Sequence, residues 1–202
     1  NRRVVLRGAF CEQPPRGLLR TLERAGCDLV DDDLVLGSHW LRGVATDKVS
    51  VHRFEAFASA NLPPLAEIGM DVVMHEDAGR FECRVPPGLG DALEMAIQIY
   101  RPHPGMPWTL PPEGTRALLI EAYGAGNLPM ERPDLQALLR HARSRELPAV
   151  VVTQCFSGGV NLEAYALGRA SAELGAISGG GHTRWAALAK LGLLLGAHRG
   201  IA

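Results

Sequence analysis

The sequence predicts an α/β protein whose parallel sheets carry helices on both faces. Three observations lead there. From about residue 94 onward, short apolar runs alternate with amphipathic stretches, the pattern of strands joined by helices. The best of these runs, Ala117–Ile120 and Ala149–Val152, are apolar at every position, as strands buried on both faces are. Each run then gives way to a polar, glycine-rich segment, "YGAGN", "TQCFSGGV" or "SGGGHT". Open α/β sheets bind ligands at such places, just beyond the carboxyl ends of strands.

The elements follow in chain order. Val4–Leu6 reads as a short buried strand ending at Gly8. "RGLLRTLERAG" is an amphipathic helix with Leu18, Leu19 and Leu22 on one face and Gly26 as its stop. "DDLVLGSHWLRG" reads as a strand with a turn. The stretch 54–91 is expected to hold a short helix, Pro-rich loops and a hairpin. A strand at 95–100 leads through a Pro-rich loop to a strand at 117–122. A helix over 133–146 opens on Pro133-Asp134, which suits a first turn. A strand at 149–153, a loop and a helix ending at Gly175 come next. A short strand in "AISGG" precedes the last helix, "TRWAALAKLGLLLGAH", with Thr183 as its N-cap. This divides the chain into residues 1–75, incomplete as a domain, a linker at 76–93, and a compact α/β domain at 94–202.

Bulk composition excludes several function classes. The chain has 202 residues, 47% hydrophobic content and a formal net charge of -1. Its arginines are scattered rather than striped, which argues against a nucleic-acid binder held by phosphate contacts. No apolar run reaches the roughly 18 residues of a membrane span, and no signal peptide is visible. Cys11, Cys27, Cys83 and Cys155 show no CxxC or Cys/His spacing of a zinc site, so no metal is expected and the thiols read as reduced and intracellular. The chain opens on Asn1 rather than Met, as a fragment or a processed product would.

The glycine loops are where chemistry is expected. "GAGN" is too short for a dinucleotide fingerprint and lacks the lysine of a phosphate loop, so no cofactor is predicted. Glycine lets the backbone approach a ligand closely, and Asn127 offers one acceptor and two donors at that spot. The plainer alternative is that Asn127 caps its turn. In the next loop Thr153, Gln154, Cys155 and Ser157 stand beside glycines. Cys155 reads as a small buried residue unless a base lies near it. His182, in "SGGGHT", reads either as an acid or base or as a surface histidine.

Taken together, these segments resemble the L-asparaginase family, specifically its cytoplasmic type I branch. "VVLRGA" (4–9), "LRGVATDKVSVHRFEAFASANLPPLAEIG" (41–69), "YRPHPGM" (100–106), "AYGAGNLP" (122–129) and "VVVTQCFSGGVNLEAYALGRASAELGAISGGGHTRWAALAKL" (150–191) match family segments in the family's order. The resemblance implies a partial N-terminal asparaginase domain, a flavodoxin-like C-terminal domain, and hydrolysis of L-asparagine to L-aspartate and ammonia without a cofactor. It places Asn127, with Gly126, near the charged ends of the substrate. It places Cys155 and Thr153 at the branch's allosteric asparagine site.

The family's nucleophilic threonine sits in a "TGGTI"-type loop and its second threonine and aspartate in a "GTDT"-type loop. Neither occurs in these 202 residues. Arg2 stands at the position of the family's catalytic lysine, and a guanidinium keeps its proton where an amine can exchange one. Two functions are therefore expected in turn: an asparaginase-family amidohydrolase, incomplete or impaired in this chain, or a non-catalytic asparaginase-like binding or assembly subunit. The resemblance implies a cytoplasmic homodimer or homotetramer; without strands before it, strand 4–6 would leave an unpaired edge, so the chain is expected to dimerise through that face, aggregate, or pair with a separate N-terminal fragment.

Overall fold

The computed structural model describes residues 33–75 and 93–199. The strand at Val4–Leu6, the helix through Leu18–Leu22, Arg2, Cys11, Cys27, Cys83 and nearly all of the linker lie outside the described residues. The chain divides into two compact units, Asn1–Glu82 and Cys83–Ala202.

In the first unit the described strands are β1 (Asp33–Leu36), β2 (His39–Arg42), β3 (Thr46–Lys48), β4 (Phe57–Ser59), β5 (Ala66–Ile68) and β6 (Val72–Met74). They form a four-stranded sheet in the order β1-β2-β5-β6 and a two-stranded ribbon, β3-β4. Every pairing is antiparallel, so the parallel sheet expected of the chain is confined, among the described residues, to the second unit. Gly37-Ser38 makes the turn of the β1–β2 hairpin, with Gly37 at φ +60°, as a two-residue hairpin with glycine first requires. The described part of 54–91, residues 54–75, contains no helix. Pro63 and Pro64 interrupt it, and the β5–β6 hairpin follows. Trp40 and Ala66 are buried here against Leu65, Ile68, Val72 and Met74.

The second unit is the α/β layer structure that the apolar runs foretold. Its strands are β7 (Ile97–Tyr100), β8 (Ala117–Ala122), β9 (Ala149–Thr153) and β10 (Ala176–Ser178). They are all parallel and lie in sequential order, β7-β8-β9-β10. Helices α1 (Pro133–Ser144), α2 (Ala166–Glu173) and α3 (Arg184–Arg199) complete the unit. The connections β8–α1–β9 and β9–α2–β10 step the same way along the sheet. Right-handed crossovers then place α1 and α2 on one face.

Both faces of β8 are buried along its whole length. Leu118, Ile120 and Ala122 pack against Leu135, Leu138, Leu139 and Ala142 of α1. That i, i+3, i+4, i+7 spacing is the helical stripe. The alternate residues Ala117 and Leu119 pack, with Val152 of β9, against Ala187, Leu191 and Leu195 of α3. Thr183 caps α3 as expected: its Oγ1 accepts the Ala186 N–H at 3.1 Å. Helix α1 opens on Pro133-Asp134 with no side-chain cap at Arg132. Asp134 instead accepts the Trp108 N–H at 3.1 Å and is gripped by the Arg132 guanidinium at 2.5 and 3.0 Å.

Two predictions follow from this packing. Leu138→Ala should lower the unfolding free energy by about 2–5 kcal/mol, whereas Arg140→Ala on the solvent face should cost about 0.5 kcal/mol or less. Equal denaturation midpoints for the two variants would contradict the layer arrangement. The second concerns acid. The hydrogen bond from Arg132, then that from the Trp108 backbone, hold the Asp134 carboxyl at about 2, below its ordinary value near 4. A depressed carboxylate contributes stability that is fully present above the ordinary value and lost as pH falls toward 2. The Tm of Asp134→Asn should therefore fall less than that of the native chain between pH 4 and 2; parallel curves would contradict the assignment.

Candidate active site

The carboxyl ends of the four parallel strands open into the three glycine loops, and hydrogen bonds stitch those loops to one another. After β8 the chain turns through Tyr123-Gly124-Ala125-Gly126-Asn127. The turn closes on itself through backbone alone: Asn127 N–H donates to Tyr123 O at 2.8 Å, and Tyr123 N–H donates back to Asn127 O at 3.1 Å. Gly124 and Gly126 both have positive φ, +49° and +112°. At Gly126 a Cβ would sit 2.8 Å from Val160 Cγ1 and 3.0 Å from Leu162 Cδ2. Glycine is needed there for the backbone angle and also for the fit against the neighbouring loop.

Because backbone groups close the turn, the Asn127 side chain is not its cap. Among the described residues its carboxamide neither donates nor accepts a hydrogen bond. It is half-buried and its Nδ2 lies over Gly124, 3.8 Å from where a Cβ would be. A half-buried amide with two donors and an acceptor to spare is able to bind a small polar group.

The loop after β9 carries the next candidates. Thr153 Oγ1 donates to Gly124 O at 2.6 Å and accepts the Cys155 N–H at 3.0 Å. Gly126, Asn127, Thr153 and Cys155 thus belong to two loops joined by one hydroxyl. Cys155 is a free and exposed thiol, which corrects its reading as a small buried residue. Its neighbours Phe156, Ser157 and Gly158 are exposed with it, so this loop stands off the core. The third loop docks through Val160 N–H to Gly180 O at 2.9 Å and Ser178 Oγ to Val160 O at 2.8 Å. His182 is at the surface, its Nδ1 2.8 Å from Gly179 O and its Nε2 3.5 Å from Lys190 Nζ. Arg2 lies outside the described residues.

Sequence reading overlooked one residue. Glu121 is a buried carboxylate in an otherwise apolar strand, with Arg101 Nη1 at 3.4 Å and Arg184 Nη1 at 3.5 Å from Oε2. A carboxylate taken out of water needs such partners. The lone glutamate in "ALLIEA" was the available signal. Gln154 was named beside the glycines, but its role was not: its Nε2 donates to both Glu121 O and Pro102 O, at 2.8 and 2.9 Å. Tyr100, at the end of β7, donates its hydroxyl to Thr109 O at 2.8 Å, and burial pushes its phenol above the ordinary value. Among the described residues no group of His, Cys, Asp and Glu is placed to hold a metal. None of the helices described is long and apolar enough to cross a membrane.

Known proteins share this arrangement. Residues 97–202 match the glutaminase/asparaginase C-terminal domain family. The chain is 39% identical over 162 residues to the 60 kDa lysophospholipase of Mus musculus, covering 77% of this chain and 28% of that protein. It is 34% identical over 174 residues to L-asparaginase 1 of Escherichia coli K12, covering 80% and 49%. The crystal structure of L-asparaginase I from Vibrio cholerae superposes with a TM-score of 0.69 at 32% identity, covering 81% of this chain and 50% of that one. The chain spans half or less of the length of each of these proteins. The match extends over the whole parallel sheet, its three helices and all three glycine loops, and on that ground the chain belongs to the glutaminase/asparaginase family.

Proposed function

We propose that the protein is an amidohydrolase that converts L-asparagine and water to L-aspartate and ammonia, and that this chain supplies the loops that hold the substrate. The observation that carries this reading is the spare carboxamide of Asn127, set in a backbone-closed glycine turn at the carboxyl end of a parallel sheet. L-asparagine has an ammonium and a carboxylate on one carbon and the reacting amide at the other end. The Asn127 Oδ1 can accept from the ammonium while Nδ2 donates to the carboxylate, which fixes the amide's distance from both. Gly126 serves the same end by letting the loop lie against Val160 and Leu162. The chemical step needs a nucleophile for the amide carbon, a donor for the departing amine and, afterwards, water to release aspartate. The family resemblance assigns these to threonine-bearing loops that are not among these 202 residues.

A second reading, a non-catalytic binding or assembly subunit, is favoured by one observation. The Thr153 hydroxyl, the threonine of the rim, has its proton committed to Gly124 O and cannot attack a substrate without surrendering that bond. Either reading includes a cytoplasmic homodimer or homotetramer, supported by Tyr123, Phe156 and Tyr165, which stand exposed along the loop rim. Cys155 with Thr153 would form the second, regulatory asparagine site; the thiol's exposure supports access to it.

The test is ammonia release from L-asparagine by the natural full-length protein, beside binding of L-asparagine by calorimetry. Turnover supports the amidohydrolase reading. Binding without turnover replaces it with the subunit reading, and absence of both refutes the two together. In the active protein, Asn127→Ala should raise KM on the order of tenfold to a hundredfold, the value of hydrogen bonds to charged groups. An unchanged KM would remove Asn127 from the substrate.

A further inference from the structure

We propose that Thr153 and Gln154 are positioning residues, a two-residue clamp that holds the glycine turn, and with it the Asn127 carboxamide, at one setting on the sheet. They sit at the end of β9, where Thr153 is in register with Ala122, the last residue of β8. Beyond that point the ladder between the two strands stops, and the turn leaves the sheet. Two glycines make this turn cheap to bend, so it needs restraint from outside itself.

Thr153 supplies that restraint on the turn. Its one hydroxyl proton goes to Gly124 O at 2.6 Å, and its lone pair takes the Cys155 N–H at 3.0 Å. The direction is fixed, because a backbone N–H can only donate and a carbonyl can only accept. Gly124 has no side chain with which to brace itself, and a Cβ added there would meet only Asn127 Nδ2, at 3.8 Å. Gln154 supplies the restraint on the strand beneath. Its N–H donates to Ala122 O at 2.9 Å, and its Nε2 to Glu121 O at 2.8 Å and Pro102 O at 2.9 Å. Both hydrogens of that amide are spent on backbone, so Gln154 has no donor left for a ligand. Gln154 ties the segment after β7 to the end of strand β8, and Thr153 ties β8's loop to β9's. Neither touches the substrate held at Asn127 in this arrangement; toward that substrate each acts through Asn127.

The consequence for binding rests on the reading of Asn127 as a substrate contact, whereas the clamp itself can be tested without it. Thr153→Val keeps the branched shape and removes the hydroxyl; Thr153→Ser keeps the hydroxyl. In the intact chain, amide hydrogen exchange at Gly126 and Asn127, whose N–H groups both bond to Tyr123 O, should be faster in the valine variant by about five- to tenfold, the worth of one hydrogen bond. It should be native-like in the serine variant, with exchange in α1 unchanged in both. Native-like exchange in the valine variant, or equal acceleration in the two, would overturn the clamp. In a protein that releases ammonia from L-asparagine, valine should raise KM severalfold more than it lowers kcat, and serine should restore KM. A loss confined to kcat, or no rescue by serine, would overturn the positioning role. If L-asparagine is neither bound nor hydrolysed by the native protein, the proposed function fails and the exchange measurement still decides the clamp.

Discussion

Strand β8 has to be hidden from water on both faces, and the rest of the second unit follows from that constraint. Six consecutive residues, Ala117 to Ala122, are all buried. A strand of this kind needs a layer of helix on each side. The right-handed crossovers through α1 and α2 cover one face, and α3 covers the other. With both faces closed, polar groups can be offered only where the strands end. The three loops that leave β8, β9 and β10 therefore carry the polar side chains of the candidate site, and each uses glycine to do so.

Much of this was legible in the sequence because β8, β9 and the helix stripes are long and unambiguous. Strands 117–122 and 149–153 are where the apolar runs put them, and the α1 helix starts at Pro133 as its opening residues require. The Thr183 cap was readable from one residue type followed by a helical pattern. In residues 54–75 the signals were weaker. Runs of three residues between prolines and glycines give no periodicity to read, and β4 and β5 pair with strands that come well before them in the chain.

The candidate site was legible in its loops but not in its wiring. Asn127 and Thr153 stood out beside glycines, yet only the structure separates a spare carboxamide from a committed hydroxyl. Gln154 looked no different from any polar loop residue. Its two hydrogen bonds reach back 33 and 52 residues, and such contacts leave no local pattern. Cys155 was read as a small buried residue because no base stands near it in sequence, and its exposure reflects a loop that stands off the core. Family membership and function also separate here: the C-terminal architecture identifies the family, and the reaction remains a proposal. Relatives of similar likeness carry different names, a lysophospholipase and an asparaginase, as expected when one ligand-holding scaffold serves more than one reaction.

The central claim is that the Asn127 carboxamide meets the substrate. Titrating the isotopically labelled protein with L-aspartate, the proposed product, and following the Asn127 side-chain NH2 by NMR tests it most directly. The account predicts a saturable shift of that NH2 pair together with the Gly126 amide. Saturable shifts elsewhere in the protein, with these two signals unmoved, would contradict it.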